Sequence, residues 1–177
     1  RVEVTSEDGP QYPLLQLIDD NFVPRLTSKI IPTTANYPRK TELAKGNLDV
    51  LIASTKEGWA VRQWPFSVFV DGDGNESLFD HRHLLKAVKE NNYHSVPVAL
   101  YVRKDTGNEL YDNLSDNSAL SLMGLYANAT DGTVNAVQND FINVVKLVIE
   151  DESLPLTRDV VGELLDICGI TSRYAHK

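Results

Sequence analysis

The sequence predicts an α/β (α+β) protein, a mixed sheet with helices followed by a C-terminal helical region, and three observations predict it. Through the middle of the chain the apolar period switches between two and 3.6 residues. Phe66, Val68 and Val70 alternate, whereas Leu48, Leu51, Ile52 and Thr55 recur at i, i+3, i+4 and i+7. After Lys104 only helical periods follow. The charge divides at the same place: residues 82 to 104 carry five bases against one acid, and residues 105 to 166 carry two bases against twelve acids.

The elements follow in order. Residues 1–13, with Gly9, Pro10 and Pro13 among acids, read as a flexible lead-in trimmed from a longer chain. An α/β core is expected over 14–104. Leu14 to Ile18 is a short apolar strand, and Lys29-Ile30-Ile31-Pro32 is a second one closed by proline. Thr33 to Lys40 is loop, with Pro38 fixing φ before Arg39 and Lys40. The first helix is expected over 47–57, ended by Gly58. Phe66 to Val70 is a strand that returns at Leu78-Phe79 through Asp71-Gly72-Asp73-Gly74-Asn75-Glu76. That loop opens like a calcium loop, but Glu76 stands where glycine is needed and Arg82 where a bidentate acid is needed, so it reads as a hairpin turn.

A second helix covers 81–91 with Leu84, Leu85 and Val88 on one face, and Val96 to Val102 is a buried strand. The acidic C-terminal region, 105–177, holds helical segments over 118–128, 139–150 and 157–167, the last capped by Thr157 and ended by Gly169.

Composition narrows the function classes. The net charge is −8, and it is segregated: residues 29 to 65 carry six bases against three acids, so the mildly basic middle is the part suited to a phosphate. No apolar run approaches the roughly 18 residues of a membrane span, and no membrane partner is expected. The single cysteine, Cys168, excludes an internal disulfide and a cysteine-built zinc site, and fits a reducing, cytoplasmic setting. It lies on an apolar helix face and reads as packing.

The order of these signals over 29–102 resembles the ParB/sulfiredoxin-like fold, the ParB-like nuclease domain family. The pieces that carry the resemblance are Ile30-Ile31-Pro32, Pro38-Arg39-Lys40 and the helix from Leu51 to Gly58. Gln63-Trp64-Pro65-Phe66, Asp80-His81-Arg82-His83-Leu84-Leu85-Lys86-Ala87 and Ser95-Val96-Pro97-Val98 complete them. The signature is divergent. Against the pattern D-G-x-H-R, Asp80 and His83 match, but His81 replaces the glycine and Leu84 the arginine. Sulfinic-acid reduction is excluded, because Arg82 stands where sulfiredoxin carries its cysteine.

The resemblance implies a nucleic-acid-associated domain of a plasmid or phage type, binding nucleotide or DNA phosphate where the second helix starts. Helix-start N–H groups favour an anion there. The implied phosphate-binding residues are Arg39, Lys40, His81, Arg82 and Lys86, with Trp59 and Trp64 as base-stacking candidates and core packing as their ordinary alternative. Asp80 and His83 are the candidate catalytic residues, and Asp80 reads equally as a helix N-cap. No metal set is expected, since Asp80, His81 and His83 diverge around a helix.

The resemblance fixes no cofactor, but it admits a nucleotide, CTP or ATP, with Mg2+ only alongside it. CTP-hydrolysing members carry a Glu-Asn pair in a following helix, where the nearest match here is Ala127-Asn128, so turnover is expected to be weak or absent. The alternatives are an active DNase or nucleotide hydrolase using Asp80 and His83, and an acidic protein-interaction or DNA-mimic module whose helices meet a basic protein. Homo-oligomerisation fits any of the three.

Overall fold

The structure is a computed structural model, and it describes residues 4–5, 7, 9–18, 22–33, 45–60, 63–130 and 138–170. Strands β1 (Leu15–Leu17), β2 (Val23–Leu26), β3 (Phe66–Val70), β4 (Glu76–Leu78) and β5 (Ser95–Arg103) form one mixed sheet. Its hydrogen-bonded path is β1-β5-β3-β4, and β2 also pairs with β5. Helices α1 (Lys45–Thr55) and α2 (Arg82–Glu90) accompany the sheet, and α3 (Glu109–Asp112), α4 (Asp116–Thr130), α5 (Gln138–Asp151) and α6 (Arg158–Ile167) follow it. The mixed sheet followed by helices is the architecture the periodicity predicts.

The described residues gather into two compact units, one from 4–5, 7, 9–11, 15–18, 22–33, 45–60 and 63–102, the other from 12–14, 103–130 and 138–170. In the first, β3 and β5 run parallel, with Phe66 opposite Val98 and Val68 opposite Leu100. Parallel neighbours need a crossover, and β4 with α2 supplies it. Strand β3 lies between β5 and β4, and Phe66, Ser67, Val68 and Phe69, which alternate between its two faces, are all at most 3% exposed, so both faces are covered. Leu84, Leu85 and Val88 of α2 close one face together with Ile30, Leu78, Val96 and Val98. Burying each such side chain contributes about 1.5–3 kcal/mol relative to leaving it in water.

The expected strand at Lys29 to Pro32 is displaced. The strand is β2, at Val23–Leu26, and Thr27–Lys29 is a 3-10 turn. Pro24 and Arg25 broke the apolar alternation that would have revealed β2. Pro24 faces Pro97 across the β2–β5 ladder, so the two absent N–H donors fall in one cross-strand pair. Pro32 makes only an isolated parallel bridge to Leu78, flanked by Leu78 N–H to Ile31 O at 2.8 Å and Thr33 N–H to Leu78 O at 2.7 Å. Arg25 then joins β2 to β4, which are not sheet neighbours, by a bidentate pair to Glu76 with both contacts at 3.0 Å. That pair also holds the Arg25 guanidinium above its ordinary pKa, although burial opposes it.

Helix α1 starts at Lys45 and ends at Thr55, two residues before each expected bound, and Gly58 follows at φ +114. The end of α2 grips it: Asn91 Nδ2 donates to Ile52 O and to Thr55 Oγ1, both at 2.8 Å, and the Tyr93 hydroxyl donates to Thr55 O at 2.6 Å. The 71–76 loop is the expected hairpin turn. The Asp71 carboxylate accepts from the N–H groups of Asp73 and Asn75, each at 2.9 Å.

In the second unit Leu122, Leu125, Val145, Val148, Leu164, Leu165 and Cys168 are fully buried. Tyr12 is buried too and meets Tyr126 edge-on at 6.2 Å. Thr157 caps α6 by accepting from Val160 N–H at 3.2 Å, and Gly169 follows at φ +74. Helix α3 was not expected: at four residues it is too short to show a period. Arg103 fixes it to α4, donating to Tyr111 O at 3.0 Å, Leu114 O at 2.8 Å and Asp116 Oδ1 at 3.2 Å. Among the described residues no helix is long and apolar enough to cross a membrane.

Candidate functional site

Asp80, His81, Arg82, His83 and Lys86 come together at the start of α2, the first four half-buried and Lys86 exposed. The N-cap position is His81 and not Asp80. His81 is left-handed, φ +66 and ψ +36, and its side chain makes no capping hydrogen bond. An N-cap normally sits in the extended region and lends a side-chain oxygen to the first turn. Here Asp80 instead reaches only one residue on, its Oδ1 accepting the His81 N–H at 2.8 Å. Its Oδ2 lies 3.6 Å from His81 Nε2.

A left-handed backbone is what glycine in D-G-x-H-R would supply without cost, and this chain adopts it with histidine. The surroundings hold it there. Asp80 accepts the amide N–H, the ring meets Phe66 edge-on at 6.1 Å, and the His81 carbonyl accepts the first helical bond from Leu85 N–H at 2.9 Å.

The cations are divided between this turn and its support. Arg82 Nη2 donates to Thr33 O at 2.7 Å, holding the segment that bridges to β4. Leu84, in place of the pattern's arginine, is 6% exposed and belongs to the apolar core. No guanidinium therefore stands at that position. Arg39 and Lys40 lie outside the described residues.

The tryptophans are both half-buried. Trp59 packs against the core cluster with its ring 5.5 Å from Phe66, and its Nε1 donates to Gln63 O at 3.3 Å. Trp64 meets Phe22 edge-on at 5.0 Å. Beside Trp64 and Ser67 stands the Tyr101 phenol, which burial pushes well above its ordinary pKa. Ala127 and Asn128 both lie on α4.

Among the described residues no three His, Cys, Asp or Glu side chains gather as metal ligands. The donor set at α2 offers Mg2+ one carboxylate, already bonded to its neighbour, so any Mg2+ would have to arrive on the phosphates of a nucleotide. Sequence reasoning placed the helix start within one residue but missed the support: nothing in the residue pattern marked Thr33 as the acceptor of Arg82.

No protein-family model matches the sequence, and no curated protein matches it significantly. Solved structures do match. The chain is similar to C-terminally truncated ParB, the chromosome-partitioning protein of Caulobacter crescentus, complexed to the centromeric parS site, at TM-score 0.52 and 16% identity, covering 87% of this chain and 68% of that one. The same protein complexed with CTP-gamma-S matches at TM-score 0.45 and 15% identity, covering 86% of this chain and 73% of that one. The fold is ParB-like.

Proposed function

We propose that this chain is a nucleic-acid-associated ParB-like domain that binds a nucleotide or DNA phosphate at the start of α2, with weak or absent turnover. The observation that carries the reading is the left-handed turn at His81. Non-glycine residues hold that conformation only where the surroundings over-determine it, and such strain gathers at ligand-binding turns. Helix starts favour an anion, and Arg82, His83 and Lys86 add polar and charged side chains to this one. ParB of Caulobacter crescentus, built on the same fold, is seen complexed to its parS site, which supports a phosphate ligand by analogy of fold.

On this reading residues 14–104 are the phosphate-binding core, and the setting is the cytoplasm. Asp80 and His83 are the polar groups nearest the ligand. Turnover is slow because Leu84 supplies no charge to the transferring phosphoryl group. The 105–177 region, with two bases against twelve acids over 105–166, faces a basic protein partner and is repelled by the nucleic acid.

A thermal-shift series with CTP, ATP and a short DNA duplex at low salt, with and without Mg2+, tests the phosphate site. A ligand at a hundred times its dissociation constant stabilises by about 2.7 kcal/mol. The expected result is a shift that shrinks as salt rises and is weakened in Lys86→Ala. No shift with any phosphate ligand overturns the proposal.

A further inference from the structure

We infer that the groove between α3 and the turn after α5 receives a lysine or arginine side chain of a basic protein partner. This rests on the reading of the helical region as an acidic interaction surface and names the place where the partner docks. The groove encloses about 300 Å³ and is lined by Glu109, Leu110, Asn113, Leu114, Glu152 and Leu154. Its chemistry is divided in the way a long cationic side chain is divided. Three leucines offer apolar wall to a methylene stem, and two carboxylates with an amide receive the charged head.

The carboxylates are suited to that task for different reasons. Glu152 is fixed, because its Oε1 accepts the Ser115 N–H at 3.0 Å. It stays ionised: burial opposes the charge, but hydrogen bonds from Ser115 and Ser118 hold its pKa below the ordinary value. Glu109 is exposed and free to follow an incoming cation. The cation already close to Glu152 is Arg103, and its Nη groups are bonded to Leu114 O, Tyr111 O and Asp116. Two residues beyond Leu154, Leu156 is 66% exposed, adding apolar surface to the same connection. The surrounding charge, two bases against twelve acids over 105–166, attracts a basic chain.

The test is fluorescence anisotropy with the full chain and a labelled arginine-containing peptide, beside the same peptide with each arginine replaced by neutral citrulline. The expected result is binding of the arginine peptide alone. Glu109→Gln with Glu152→Gln weakens it about tenfold, while the same charge change elsewhere, Glu150→Gln with Asp166→Asn, weakens it less than about twofold. Asn113→Trp, which fills the groove with every charge kept, also abolishes binding, and circular dichroism checks that each variant folds. Equal weakening by both double variants makes the attraction diffuse and overturns the groove while the acidic-surface reading stands. No binding of the arginine peptide by the unaltered chain overturns that reading itself.

Discussion

Arg82 and Thr33 are joined across 49 residues of sequence by a single hydrogen bond, Nη2 to carbonyl oxygen at 2.7 Å. Thr33 is also where the chain leaves its bridge to β4, donating its N–H to Leu78 O at 2.7 Å. One residue is thus held at both its N–H and its carbonyl, and the guanidinium holding it belongs to the first turn of the proposed phosphate site. Arg82 is a support as well as a charge. Arg82→Ala should therefore lower stability without any ligand, by about 1.5–3 kcal/mol for a half-buried bond from a charged donor. Lys86→Ala, on the exposed side of the same helix, should leave stability within about 0.5 kcal/mol. Urea unfolding of the two variants checks this, and equal stability losses would contradict the division of roles.

The left-handed turn gives a second comparison. At φ +66 a side chain costs about 1–2 kcal/mol relative to glycine. His81 recovers part of it through its contacts with Asp80 and Phe66. His81→Ala keeps the strain and loses the contacts, whereas His81→Gly loses both. The glycine variant should be the more stable of the two by about 1 kcal/mol, read from their urea midpoints at equal m-value. An alanine variant as stable as the glycine variant would mean that the turn is not strained.

These two sites show what the sequence revealed and what it withheld. The period of α2 and the burial of β3 were legible because each is a local pattern: Leu84, Leu85 and Val88 repeat on one helical face, and Phe66 to Phe69 are apolar or small. The order of signals from Ile30 to Val98 was enough to identify a ParB-like fold. Helix α2 was legible, but its cap was not. Asp is a common N-cap, so Asp80 reads equally as a cap and as a site residue, and only the backbone angle shows the cap one residue later. Strand β2 was hidden because Pro24 and Arg25 interrupt its alternation, and the Arg25–Glu76 pair because partners 51 residues apart leave no local pattern. Arg39 and Lys40 were nominated by their place after Pro38 and lie outside the described residues.

Acid should loosen both units at identifiable places. The Asp71 carboxyl is held below its ordinary 3.8, first by the Asn75 backbone N–H. Glu152 is held below its ordinary 4.5, its hydrogen bonds outweighing burial. A depressed folded-state pKa contributes stability above the unfolded value, and that contribution is lost as pH falls through the folded one. Stability should hold steady from pH 7 to about 5 and then decline. Asp71→Asn and Glu152→Gln should each be less stable at pH 7 and show a shallower decline. Urea midpoints across the range check it, and an unchanged acid slope in both variants would show that these carboxylates are not responsible.

Cys168 supplies a probe of the second unit. It is 0% exposed at the end of α6, and burial pushes its thiol above the ordinary 9.0. A thiol must be both reached and ionised to attack a disulfide reagent, and this one is neither while α6 is seated. Labelling at pH 8 by an aromatic disulfide should therefore be slow in native buffer and should accelerate with urea well below the unfolding midpoint, as α6 opens locally. Phosphate ligands bound at α2 should leave this rate unchanged if they stabilise only the first unit. Cys168→Ala should cost stability by a small cavity, about 1 kcal/mol or less. Cys168→Ser should cost more, because a hydroxyl placed there has to find a partner in an apolar setting. Fast labelling in native buffer, at the rate of a free thiol, would contradict the burial of Cys168 and the seating of α6 with it.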